Sequence, residues 1–155
     1  MQITELETLD YPPLTEDLEE AKVHLDKYGM ALIKNVLSSE EVEEMDDRLN
    51  EQFLGEEKYK VGSKVRGDEG FGIESSEEEK VSRLVWNLIN KGDCFLKLID
   101  HPKILPLIQH MIGEKVCLCS MGAHMNGSGN ERMALHQDQW PLVPHPMNFP
   151  FMANV

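Results

Sequence analysis

The chain has 155 residues, 41% of them hydrophobic and 28% charged, which is enough length and apolar content for one domain with a sizeable core. Its formal net charge of −13 repels phosphates, and this excludes nucleic acid and anionic membrane as expected partners. No run approaches the roughly 20 apolar residues that cross a bilayer, and the first ten residues lack the basic start and apolar stretch of an export signal, so a cytoplasmic location is expected.

Leu14, Leu18, Ala21, Leu25 and Tyr28 recur at spacings of three and four and predict a first helix, with Thr15 available as its cap and Gly29 at its end. Residues 30–36 are a short apolar run that predicts a strand. Ser38 and Glu41 then form a capping-box pattern ahead of Val42, Met45, Leu49 and Phe53, the apolar stripe of a second helix ended by Gly55. Residues 56–82 are polar, broken by glycines, and lack the strand-and-helix setting of a phosphate-binding loop, so no nucleotide site is expected there. They read either as a solvated excursion or as a lid over a substrate pocket.

A strand is predicted over 83–88 and helices over 93–100 and 102–112, the last with Pro102 in its first turn and Pro106 close behind. His24, His101 and His110 on these helices read as surface or capping groups. Cys117 and Cys119 share one face of a strand predicted within 116–125. They read as buried thiols, because no further Cys or His pair completes a zinc site.

Beyond a Gly-rich loop at 126–132, residues 133–140 predict a strand that carries His136, Gln137 and Asp138. Alternate residues of a strand point to one face, so His136 and Asp138 offer an imidazole nitrogen and a carboxylate oxygen side by side. These are two of the three donors in the two-His-one-carboxylate set that holds non-haem Fe(II) and leaves coordination positions open. On the residues alone, a solvated surface strand fits the same pattern. Trp140 shares the donors' face and can wall a pocket or fill the core, while His124 and His145 are the chain's own candidates for a third donor.

The run His136-Gln137-Asp138-Gln139-Trp140 is one of three matches to a known pattern. The second is the stretch 28–42, in which Gly29 precedes a hydrophobic strand and a Ser-initiated acidic helix; the third is the intervening helix that ends at Gly113. Together, and over nearly the whole chain, they resemble the phytanoyl-CoA dioxygenase family. The resemblance implies an α+β fold: a partial double-stranded β-helix, jelly-roll or cupin-like, with amino-terminal helices packed on the sheet. It implies Fe(II) held by His136 and Asp138, 2-oxoglutarate as cosubstrate with Met121 near it, molecular oxygen, and hydroxylation of a small-molecule substrate. The family takes its second ligand His, and the Arg that pairs with the far carboxylate of 2-oxoglutarate, from strands downstream of His-x-Asp, and neither has a counterpart before Val155.

Residues 149–155 read as the start of another core strand. The expectation is therefore a single domain, 1–155, forming the amino-terminal portion of a dioxygenase truncated inside its barrel. Such a chain would be inactive by itself and open to self-association through an unpaired sheet edge. Two other readings stay open: a metal-binding jelly-roll enzyme that does not use 2-oxoglutarate, and a noncatalytic acidic binding fragment.

Overall fold

A computed structural model describes residues 11–65, 82–125, 138 and 149–155. Strand β1 (Leu14–Thr15) leads into helix α1 (Leu18–Tyr28), which starts later than the apolar spacing suggests. Asp17 is the cap: it is extended, and its carboxylate accepts from the N–H groups of Glu19 and Glu20 at 2.7 and 3.2 Å. Thr15 is instead buried in β1, where its hydroxyl accepts from the Asp17 N–H at 3.0 Å and donates to the Glu20 carboxylate. A carboxylate that satisfies two first-turn donors and complements the positive end of the helix displaces the hydroxyl as cap. Gly29, at φ +72°, closes the helix by donating to the Leu25 carbonyl, as predicted.

Strand β2 (Leu32–Ile33) pairs in parallel with β1, Leu14 opposite Leu32 and Thr15 opposite Ile33. It is shorter than the apolar run because Asn35 turns the chain at φ +50° and donates to Glu16 at 2.7 Å. The capping box forms as predicted at the start of α2 (Ser39–Tyr59). Ser38 Oγ accepts from the Glu41 N–H at 3.2 Å, and the Glu41 carboxylate accepts from the Ser38 N–H at 2.8 Å. That backbone donor is the main reason the Glu41 carboxyl lies below its ordinary value.

Helix α2 runs through Gly55 to Tyr59, since one interior glycine costs only about 1 kcal/mol. Its last turn is tied by Glu56, which accepts from Gln52 at 2.9 Å and pairs with Lys91 at 3.1 Å. Burial opposes ionisation of Glu56, but the hydrogen bonds from Gln52 and Lys91, with the charge of Lys91, outweigh it and hold the carboxyl below its ordinary value.

Strands β3 (Ser63–Val65), β4 (Ser82–Val85) and β5 (Ala123–Met125) form an antiparallel sheet in the order β3-β4-β5. After β4, Asn87 at φ +55° starts a 3-10 turn (Leu88–Asn90), followed by α3 (Asp93–Leu96) and α4 (Leu105–Ile112). Both helices are shorter than predicted. Pro106 sits in the first turn of α4, where its missing N–H has no intrahelical partner to lose.

Phe53 on α2 packs with Val85, Leu88, Cys94 and Phe95, and Met45, Leu49, Met121, Ala123 and Met125 close around them. This cluster joins α2 and α3 to one face of the sheet. Gly92 permits the approach of α2, since an added Cβ would lie 3.1 Å from Arg48 Cγ. A second contact packs α1 on α4, with Ala21 and Leu107 buried and Asp26 paired to His110 at 2.8 Å.

Three further expectations are corrected. His24 is buried on α1, with its ring edge-on to Tyr28 and its Nδ1 without a hydrogen-bond partner, and is not a surface group. Cys117 and Cys119 are exposed and Cys94 is the buried thiol, because only the last three residues of the run 116–125 are in a described strand. Residues 149–155 form no strand, and Phe149 is exposed. The architecture is α+β, and among the described residues the strands close no barrel. Among the same residues, no helix is long and apolar enough to cross a membrane.

Candidate functional site

Of the two predicted metal donors, Asp138 is described and His136 lies outside the described residues, as do His145 and Trp140. Asp138 is exposed and stands in a turn, not in the strand predicted over 133–140, and its Oδ2 accepts from Asn154 Nδ2 at 2.5 Å. The segment 149–155 thus returns to the aspartate that the His-x-Asp spacing singles out. Sequence reasoning missed Asn154; an amide 16 positions from the carboxylate it orients has no local pattern to betray it.

The residue types, though not an observed arrangement of both, match the donor chemistry expected of a non-haem iron site. One imidazole and one carboxylate are nitrogen and oxygen ligands that suit Fe(II). A carboxylate fixed by a neighbouring hydrogen-bond donor is what a metal-binding carboxylate ordinarily has around it. Among the described residues, no group of three or more His, Cys, Asp and Glu side chains is gathered to hold a metal.

Met121 is half-buried against the helix-side core, and its carbonyl accepts from the Leu88 N–H at 3.0 Å. This bond stitches the 3-10 turn to the chain just ahead of β5. His124, two residues from Gly122 on β5, is exposed and lies edge-on to the indole of Trp86, with ring centroids 6.5 Å apart and planes at 71°. In the sequence Trp86 lies inside the strand predicted over 83–88, whereas β4 ends at Val85. Its contact with Gly122 and His124 depends on the β4–β5 register, which pairs Leu84 with His124 and Val85 with Ala123.

His101 and His110 behave as capping and surface groups. The ring of His101 accepts from the Lys103 N–H at 3.2 Å, and His110 pairs with Asp26.

The sequence profile of the family described as Phytanoyl-CoA dioxygenase (PhyH) matches residues 25–154, a span that takes in Trp86, Met121, His136, Asp138 and Asn154. Among curated proteins, "Dioxygenase af480" of Aspergillus fumigatus is 28% identical over 142 residues, covering 92% of this chain and 43% of that protein. The chain therefore spans less than half the length of this curated relative. No solved structure matches.

Proposed function

The chain belongs to the phytanoyl-CoA dioxygenase family, and on that premise we propose that it supplies the amino-terminal part of a non-haem Fe(II)/2-oxoglutarate-dependent hydroxylase. The observation that carries the reading is the His136-x-Asp138 pair, with the Asp138 carboxylate oriented by Asn154. In this reading the sheet β3–β5, backed by α2 and α3, begins a jelly-roll barrel, and 1–155 behaves as one domain. The third metal donor and the Arg for the far carboxylate of 2-oxoglutarate come from sequence beyond these 155 residues. The coverage of less than half of the curated relative supports that division.

His136 and Asp138 would hold Fe(II), which together with 2-oxoglutarate and oxygen supplies the oxidising power to hydroxylate an unactivated carbon of a small-molecule substrate. The protein's own work is positional. Asn154 fixes the rotation of the Asp138 carboxylate so that one oxygen is committed to the amide. On the strand that the sequence predicts over 133–140, Gln137 and Gln139 would face away from His136, Asp138 and Trp140. Met121, at the position the family places near 2-oxoglutarate, packs its thioether on the helix-side core and would border the cosubstrate through its backbone, held by Leu88. All three cysteines are free thiols, which supports a reducing, cytoplasmic location.

Succinate release tests this function. A longer protein that includes the downstream strands should form succinate from 2-oxoglutarate with Fe(II), and a chelator should abolish it. The 155-residue chain should give no more than the free-iron background, since it lacks the Arg that forms a charge-assisted hydrogen bond typically worth about 1.5 to 3 kcal/mol. Metal uptake without dependence on 2-oxoglutarate would instead support a different jelly-roll metalloenzyme. Absence of any metal uptake would support a noncatalytic acidic binding protein.

A further inference from the structure

We propose that Cys117 and Cys119 are a redox modification site, two thiols that a hydroperoxide joins into one disulfide within the chain. The inference is independent of the hydroxylase reading. The chain holds three cysteines, all free thiols, and they are unequal: Cys94 is 3% exposed inside the helix-side core, whereas Cys117 and Cys119 are both exposed. A peroxide therefore reaches two of the three, and thiol oxidation follows access.

Local geometry brings the two sulfurs within reach. Alternate residues of an extended chain lie on one side with their Cα atoms about 6.6 Å apart, near the upper end of the roughly 4.4 to 6.8 Å that a disulfide spans. A slight bend at Leu118 closes the remaining gap. The Cys117 thiol already leans along the chain, with Sγ 3.7 Å from the carbonyl oxygen of Leu118, whose peptide bond leads into Cys119. Residues 115–122 belong to no helix or strand, so the bend breaks no ladder. The segment is nevertheless tethered at both ends. The Gly113 N–H donates to the Gln109 carbonyl at 3.0 Å and the Gln109 side chain to the Glu114 carbonyl at 3.2 Å, while the Met121 carbonyl accepts from the Leu88 N–H at 3.0 Å. Closing the disulfide tightens this span and leaves β5 paired to β4.

The chemistry balances with hydrogen peroxide as the oxidant. The thiolate of one cysteine attacks a peroxide oxygen, the O–O bond breaks, and the departing hydroxide takes up the thiol's proton, leaving a sulfenic acid and one water. The second thiolate attacks the sulfenic sulfur, the S–O bond breaks, and a second water leaves as the S–S bond forms. Two thiols are oxidised and one peroxide is reduced to two waters. A resolving thiol two positions away intercepts the sulfenic acid before further peroxide carries it to the irreversible sulfinic acid. So small a ring strains the disulfide, and strained or exposed disulfides are the ones easily reduced. The pair is thus a reversible device, reduced at rest in a reducing compartment, that stiffens the approach to Met121 and β5 when oxidised.

The test uses the natural 155-residue chain, fully reduced, treated with hydrogen peroxide, then denatured and alkylated with iodoacetamide. Trypsin mapping reads the outcome, because Lys115 and Arg132 bound a peptide that holds both cysteines. That peptide is expected to lose one hydrogen from each thiol, to carry no alkyl group, and to regain two alkylatable thiols after dithiothreitol, while Cys94 stays reduced. In Cys117→Ser or Cys119→Ser the remaining thiol lacks its resolving partner and should accumulate several-fold more sulfinic acid at the same peroxide dose. Denaturing electrophoresis without reductant tells a covalent dimer from association through an open sheet edge. A disulfide between two chains, a bond to Cys94, two thiols that stay unreacted, or as much sulfinic acid in the natural chain as in the variants would overturn the proposal.

Discussion

Glu56 shows how one side chain couples the helical layer to the segment after β4. Its carboxylate is 11% exposed and meets Lys91 across 35 residues of sequence, with Gln52 donating from one turn earlier. Its pKa lies below the ordinary 4.5, so the folded state holds its proton less tightly than the unfolded chain does. The stability it contributes is therefore present above about pH 4.5 and is lost as pH falls through the lower folded-state value. Lys91→Met should destabilise the protein at pH 7, where it strands a largely buried carboxylate, and should cost less at acid pH, as that carboxylate takes up its proton. Urea unfolding at the two pH values measures the difference; equal losses would mean that Lys91 acts only by packing. Phe53→Ala, in the centre of the core, should lower stability by about 3 to 5 kcal/mol, read as a fall in the urea midpoint. His24 belongs to the same scale of argument. It stands three residues after Ala21 and four before Tyr28, so the helical stripe places it on the buried face despite its polar ring.

Among the elements, those whose ends are set by local chemistry were the most legible. The Ser38–Glu41 box and the Gly29 cap form because each uses hydrogen bonds within one turn of helix. Ser38→Ala should cost about 1 kcal/mol of stability, read in the same urea assay; a change indistinguishable from zero would mean that the start of α2 is held by tertiary contacts instead. Elements whose ends depend on distant partners were misjudged. The run 30–36 yields only Leu32–Ile33 as strand, because β1 offers two residues to pair with. The run 116–125 yields only Ala123–Met125, where β4 lies alongside. Thr15 matches a cap by local pattern but pairs into β1, a long-range partnership, and Leu14, which fits the helical stripe, is exposed in that two-stranded sheet. Of the candidate site, the His136-x-Asp138 spacing is legible in the sequence, although Asp138 stands in a turn and not in the strand expected there. Asn154 and the Trp86–Gly122–His124 contact are not legible, since they depend on chain return and register.

At the scale of the molecule, α1 with α4 and α2 with α3 flank two small sheets, and among the described residues β3 and β5 are the edges of the larger one. Unpaired N–H and C=O groups on such edges pair readily with a second chain. Sedimentation of the 155-residue chain should accordingly show concentration-dependent association, moderated by its net charge of −13. A monodisperse monomer that unfolds cooperatively would contradict the incomplete-barrel reading. The central claim, that His136 and Asp138 are the iron donors of a family hydroxylase, meets its most direct test in succinate yield from a longer protein that includes the downstream strands. Supplied with Fe(II), 2-oxoglutarate and air, that protein should produce succinate, and His136→Ala or Asp138→Ala should reduce the yield to the free-iron background while circular dichroism stays unchanged. Undiminished succinate from His136→Ala would contradict the account.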